Sequence, residues 1–213
     1  MQKHPEYITS LMQPDLYEGQ VDEVRLIQTH ISYVLIAGEF VYKYKKPMNF
    51  GFLDFSTLDK RGHYCLQEIT LNRRLCPEIY LERVAVTSSP DGYTLNGEGE
   101  IVEYGVKMRR LDEDRMMALV LAAGALTTDH LDQIVDTLVP FYESAEVNDE
   151  IRSYGGTETV AVNVVENFEQ TETFVDGPAL GREQFEQIRT YALSVLKQED
   201  RFNKRIADER IRD

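Results

Sequence analysis

Cationic residues, cysteines and long apolar runs are all scarce in this chain. Its 213 residues carry 23 Lys and Arg against 37 Asp and Glu, a formal net charge of −14 at pH 7. An acidic chain of this kind is a poor general binder of nucleic acid or of an anionic membrane, so an anionic ligand must meet a local cluster of positive charge. No stretch approaches the roughly 20 apolar residues that span a bilayer. The first residues, MQKHPEYITS, are polar and charged where a signal peptide needs an apolar core. Together these features predict a cytoplasmic chain with no nucleic-acid or membrane partner. Cys65 and Cys76 are too few for a disulfide framework and read as core thiols in a reducing compartment. On one helix they would lie about 16 Å apart along the axis, beyond disulfide reach. His4, His30, His63 and His130 share no metal-ligand spacing with either cysteine. The remaining composition, 42% hydrophobic and 28% charged, suits an ordinary globular protein of one large domain or two small lobes.

The first third is rich in strand formers. Residues 30–46, HISYVLIAGEFVYKYKK, hold two β-branched and aromatic runs around Ala37-Gly38-Glu39, which predicts a hairpin. Pro47 closes the second strand and an aromatic loop, MNFGFLDF, follows. Ser56-Thr57-Leu58-Asp59 resembles a capping box with Ser56 as the cap, predicting a helix to about Leu75, before Pro77. Strands are expected near 82–87, 92–95 and 100–109, with turns at Asp91-Gly92 and Asn96-Gly97. From Asp112 the pattern becomes helical, over 113–123, 129–146 (with Pro140 inside it), 158–172 and 181–199. The spacing therefore predicts a sheet-rich lobe followed by a helical one.

One residue does not fit its element. On a helical wheel over 58–76, Tyr64, Cys65, Ile69, Leu71, Leu75 and Cys76 form a broad apolar face, and Glu68 falls in the middle of it. A buried carboxylate must find a cation or stay protonated. Period-2 alternation in the preceding strand puts Lys43 and Lys45 on one side, opposite Tyr42 and Tyr44. A strand lysine joined to a carboxylate on the next helix is the device by which protein kinases hold the α- and β-phosphates of ATP. The plainer alternative is a wide helix with Glu68 at a solvated margin and two ordinary edge-strand lysines.

The element order favours the first reading: a hairpin ending in a lysine strand, a helix with a central Glu, further strands, the extended segment VKMRRLDED and a helical lobe. The wording of residues 29–81, THISYVLIAGEFVYKYKKPMNFGFLDFSTLDKRGHYCLQEITLNRRLCPEIYL, and of EYGVKMRRL at 103–111, resembles the bacterial aminoglycoside phosphotransferase-like family. The resemblance implies an α+β, protein-kinase-like fold. Residues 1–111 would form an antiparallel-sheet nucleotide lobe with one long helix, and 112–213 the first helices of a truncated helical lobe. It also implies ATP and Mg²⁺ as cofactors of the intact protein and a small-molecule hydroxyl as acceptor. Lys43 would be the nucleotide lysine (Lys45 being the other candidate), Glu68 its helix partner, and Lys107-Met108-Arg109 part of an adenine-binding hinge. The Ala37-Gly38-Glu39 turn would cover the phosphates. It lacks GxGxxG, and Gly97-Glu98-Gly99 fails at Val102, where the third glycine should stand.

The chain departs from that family at its other end. Phosphoryl transfer needs an Asp to position the acceptor hydroxyl and a later Asp for Mg²⁺, and the family carries the first in a His-Gly-Asp motif that this sequence lacks. His130-Leu131-Asp132 opens an amphipathic helix, and Asp54-Phe55-Ser56 precedes the central helix, so neither substitutes. No catalytic base or metal ligand is assigned. The chain alone is expected to bind ATP weakly or not at all and to turn over none. In members of this family the domain often precedes a P-loop domain, which makes such a domain, or a second copy of the chain, the expected partner. A non-catalytic regulatory module that binds a nucleotide or a protein partner is the rival reading. Lys43 is expected on Glu68, with Lys45 more exposed. The apolar faces of 129–146 and 181–199 are expected to pack on each other and to remain partly uncovered.

Overall fold

Six segments rich in β-branched and aromatic residues pair into one antiparallel sheet. They are β1 (Val24–Gln28), β2 (Ser32–Ala37), β3 (Phe40–Lys45), β4 (Tyr80–Ser89), β5 (Gly92–Leu95) and β6 (Glu100–Arg109), in the spatial order β1-β2-β3-β6-β4-β5. The computed structural model describes residues 4–213. Ala37 pairs with Phe40, so Gly38 and Glu39 form a two-residue hairpin turn. Gly38 stands first in it at φ +57°, a conformation that costs glycine little and matches the twist of the flanking strands. β1 and the short helix α1 (Glu6–Ser10) precede every element expected from the sequence.

Alternation along the strands gives the sheet two unlike faces. On one, Leu35, Tyr42, Tyr44, Val84 and Val86 bury against Ile8 and Leu11, at the end of α1, and against Tyr17. On the other lies helix α2 (Leu58–Asn72), whose Cys65 and Ile69 pack on Val106 with Tyr80, Tyr104 and Met108 around them. The helix can approach this closely because residue 62 is glycine: a Cβ there would stand 2.7 Å from the Tyr104 ring.

α2 differs from its expected form in three ways. Its cap is Thr57, whose hydroxyl accepts the Lys60 N–H, while Ser56 donates its hydroxyl to Asp54 instead. It ends at Asn72, so Leu75 and Cys76 lie beyond it, and only Cys65 is a fully buried thiol. Its buried face is Arg61, Gly62, Cys65 and Ile69, whereas Tyr64, Leu71 and Leu75 are exposed. The apolar stripe is thus narrower than the wheel suggested, because the sheet it meets contributes both polar and apolar partners.

Two compact units separate after Thr127. In the first unit, Glu113 in a 3₁₀ turn (Glu113–Arg115) pairs with Arg25 of β1, and α3 (Met117–Ala122) follows it directly. The second unit consists of α4 (Thr128–Ser144), α5 (Asp149–Ser153), α6 (Thr157–Glu172), α7 (Arg182–Leu196) and α8 (Glu199–Ala207). α4 continues through Pro140 and buries none of its residues. α7 packs on α6, not chiefly on α4 as expected, with Phe185 buried and its ring 5.6 Å from that of Phe168. No helix among the described residues is long and apolar enough to cross a membrane. The fold is α+β, as expected.

Candidate functional site

The Glu68 carboxylate takes both strand lysines, one on each oxygen. Lys43 Nζ lies 2.8 Å from Oε1 and Lys45 Nζ 2.5 Å from Oε2. β3 supplies both because residues two apart share a face, and α2 supplies Glu68 one turn beyond Cys65 and beside Ile69, where the helix meets the sheet. The expectation that Lys45 is the more exposed lysine is overturned. Its side chain is 6% exposed against 30% for Lys43, and its ammonium sits 5.0 Å from the centre of the buried Phe55 ring. Phe55 closes over that end of β3 because the chain folds back after Pro47, with Asn49 bridged to Asp54 and the Phe55 N–H donating to Met48 O at 2.7 Å. Asp54 receives Lys60 Nζ and the Ser56 hydroxyl, and these hold its carboxyl down at about 2.

Burial alone would raise the Glu68 carboxyl, but the hydrogen bonds from Lys43 and Lys45 outweigh it and hold the group below its ordinary value. Two lysines and one carboxylate give the cluster one formal positive charge, with Lys43 the part that solvent reaches. In an acidic chain this is a local anion-attracting point. Cys65 lies behind the carboxylate, and burial pushes its thiol up to about 11, which makes it a poor nucleophile.

Lys107, Met108 and Arg109 do not converge on this cluster as an open edge. They occupy β6 between β3 and β4, where Met108 pairs with Val41 on one side and Tyr80 on the other. The Arg109 N–H donates to Ile79 O and the Arg110 N–H to Glu39 O, each at 2.8 Å. Lys107 pairs with Tyr42, so its side chain lies on the sheet face opposite Lys43 and Glu68, near Phe40, Glu18 and Glu82. Met108 lies on the α2 face.

The Ala37-Gly38-Glu39 turn is at the wrong end of β3 to cover an anion at the lysines. Register puts Ala37 beside Phe40 and Ser32 beside Lys45, so the strand connection at the lysine end of β3 is 29–31. The Lys46 N–H donates to Ile31 O at 2.8 Å and Lys46 Nζ to Thr29 O at 2.7 Å. Thr29 Oγ1 accepts the Ser32 N–H at 2.9 Å, which makes this a closed, side-chain-stapled turn.

A second charged pair on α2 escapes the sequence patterns. Arg61 Nε faces Glu103 of β6, and Arg61 is one helical turn before Cys65 on the buried stripe. That spacing was the available signal for Arg61, whereas nothing in the β6 alternation marks Glu103. Arg73 ties the end of α2 to the start of β4, its Nε donating to Tyr80 O at 2.7 Å and its Nη2 to Leu81 O. Among the described residues no group of three or more His, Cys, Asp or Glu side chains is placed to hold a metal ion.

No family model matches the chain, and no solved structure matches it at a significant level. It is 34% identical over 149 residues to an uncharacterized protein of Mycobacterium bovis and, to the same extent, to uncharacterized proteins of two Mycobacterium tuberculosis strains. The match covers 70% of this chain, which spans 28% of the length of these curated relatives.

Proposed function

We propose that residues 1–111 form the nucleotide lobe of a kinase-like domain, and that the intact protein transfers a phosphoryl group from ATP to a small-molecule hydroxyl. The observation that carries this reading is the 2.8 Å pair between Lys43 on a central strand and Glu68 on the helix packed against that strand's face. A cation held by a carboxylate keeps a fixed position without being quenched, because it retains donors for a phosphate oxygen. The order of elements gives further support: a hairpin, a lysine strand, a helix and returning antiparallel strands that end in an extended exit.

Two details of the reading follow from the geometry. The loop that would lie over the phosphates is 29–31, since it closes beside Lys45, and not the Gly38 turn. The adenine edge would be read by the chain beyond Arg110, since the N–H groups of Arg109 and Arg110 are already spent on Ile79 and Glu39. Mg²⁺ and the acceptor would be held by residues that this sequence does not supply, so turnover is a property proposed for a longer protein only.

Titrating ATP and inorganic pyrophosphate into the isotope-labelled chain tests the reading by amide and lysine-amine NMR. Weak, saturable shifts are expected at β3, the 29–31 turn and residues just after Arg110, and Lys43→Met should remove them. Shifts confined to α4–α8, or none at millimolar ligand, would refute the nucleotide assignment.

A further inference from the structure

Lys43 and Lys45 hold the same carboxylate but are not equivalent. Lys45 is buried, packed on Phe55 and 2.5 Å from Glu68 Oε2; Lys43 is partly open to solvent and 2.8 Å from Oε1. A single lysine facing Glu68 would have to serve two masters. When an oxyanion drew the ammonium toward itself, the carboxylate would be left half-buried without a cation, and it would either protonate or swing away. The second lysine removes that conflict, because a cation remains on Glu68 whatever Lys43 does.

We infer that Lys45 is a positioning residue that keeps Glu68 ionised and in place while Lys43 turns toward a bound oxyanion. The identity of the oxyanion as a phosphate rests on the nucleotide reading above, but the division of labour around Glu68 does not. The cluster then has two states with the same protonation. In one, both lysines share Glu68; in the other, Lys45 alone holds Glu68 and Lys43 contacts the ligand. Charge favours the second state once an anion arrives, because the three groups together carry one uncompensated positive charge. The titratable groups around the Glu68 carboxylate are Lys43, Lys45, Tyr80 and Cys65. Tyr80 and Cys65 are neutral near pH 6–7, and the ionisation of pyrophosphate near that pH is common to parent and variant, so the difference in proton uptake between them reports Glu68.

The test uses the full chain, inorganic pyrophosphate as the probe, and three variants. In Lys43→Met, carboxyl NMR should find Glu68 still titrating below the ordinary glutamate range, since Lys45 suffices to hold it, while pyrophosphate binding falls at least tenfold. In Lys45→Met, binding should take up more protons than in the parent: calorimetric heats near pH 6 should depend more steeply on the ionisation enthalpy of the buffer than those of the parent chain, whose dependence reports the ionisation of pyrophosphate. Lys45→Arg should restore the buffer dependence of the parent. A Lys43→Met chain whose Glu68 titrates at or above the ordinary value would overturn the inference, as would proton uptake that is the same with and without Lys45. If Lys45→Met does not fold, the Lys43→Met titration still decides. If the parent chain binds no pyrophosphate, the phosphate reading fails, and the role of Lys45 stands or falls on that same Glu68 titration.

Discussion

Arg61 Nε lies 2.8 Å from each carboxylate oxygen of Glu103, and both side chains are buried. The pair joins the first turn of α2 to the strand beneath it. Each group has a further partner: Arg61 Nη1 donates to Phe55 O at 3.1 Å, and the Tyr104 N–H donates to Glu103 Oε1 at 2.9 Å. The Tyr7 hydroxyl reaches Oε2 at 3.4 Å, from the helix on the other side. Burial raises the Glu103 carboxyl above its ordinary value, and the hydrogen bonds from Arg61 and Tyr104 only partly offset it. This is a satisfied but desolvated pair, and its loss should be felt more than its presence.

Arg61→Met should therefore destabilise the chain by about 3–5 kcal/mol, since it leaves Glu103 buried without its cation. Tyr7→Phe, which removes one long hydrogen bond, should cost about 1 kcal/mol or less. Urea denaturation of the three chains separates these. Equal losses for the two variants would mean that Arg61 is held by packing alone.

The acid limb of stability should depend on Glu68. Its carboxyl is held below the ordinary value by Lys43 and Lys45 against the opposing effect of burial. A lowered folded-state pKa means that the ionised group stabilises above the unfolded carboxylate pKa of about 4.3, and that the contribution disappears as pH falls through the folded value. Glu68→Gln should thus unfold at lower urea than the parent at pH 7, with the gap narrowing from about pH 4.5 downward as the parent carboxylate protonates. A gap that stays constant down to pH 3 would mean that Glu68 gains nothing from its lysines.

Gly62 sets how near α2 comes to β6. A methyl group there meets the Tyr104 ring at 2.7 Å, too close without displacement. Gly62→Ala gains roughly 1 kcal/mol of helix propensity, but overpacking costs about 1–3 kcal/mol, so a net loss is expected. Tyr104→Leu should recover part of it in the double variant, and a double-mutant cycle measures the coupling. Additive losses would show that the helix shifts freely over the strand.

The Lys43–Glu68 pairing was legible because two independent periods agreed. The 3.6-residue period placed a carboxylate on a packed helix, and the 2-residue period placed lysines on one face of the preceding strand. The ranking of the lysines was not legible, because it is decided by Phe55, which reaches Lys45 only after a fold-back that no local period encodes. β1 was missed because Val24–Gln28 shows one buried and one half-buried residue, too little alternation to stand out at a sheet edge. The backbone saturation of Met108 and Arg109 was hidden for a different reason: hydrogen-bond partners in a sheet are set by register across distant strands.

The helical unit leaves large apolar side chains in the open. On α4, Leu131, Ile134, Val135 and Val139 are exposed; on α6, Val162 and Val165; on α7, Ile188 and Tyr191, the last at 71%. Of the apolar side chains in this unit, only Phe185 and Ala145 are buried. Contiguous apolar patches beyond a few hundred Å² are unusual on monomers, so the isolated chain should self-associate. The net charge of −14 opposes close approach of two copies. Salt screens that repulsion within about 8–10 Å near physiological strength and leaves apolar burial in place. Association should accordingly strengthen as salt rises, the reverse of what an ion-paired interface would show. Sedimentation velocity over a dilution series at low and high salt measures this. Val135→Lys and Tyr191→Lys should each weaken association without lowering the unfolding midpoint, while Gln20→Lys, with the same change in charge on the other unit, should not. A chain that stays monomeric at high salt and high concentration would show that these side chains cover one another in solution.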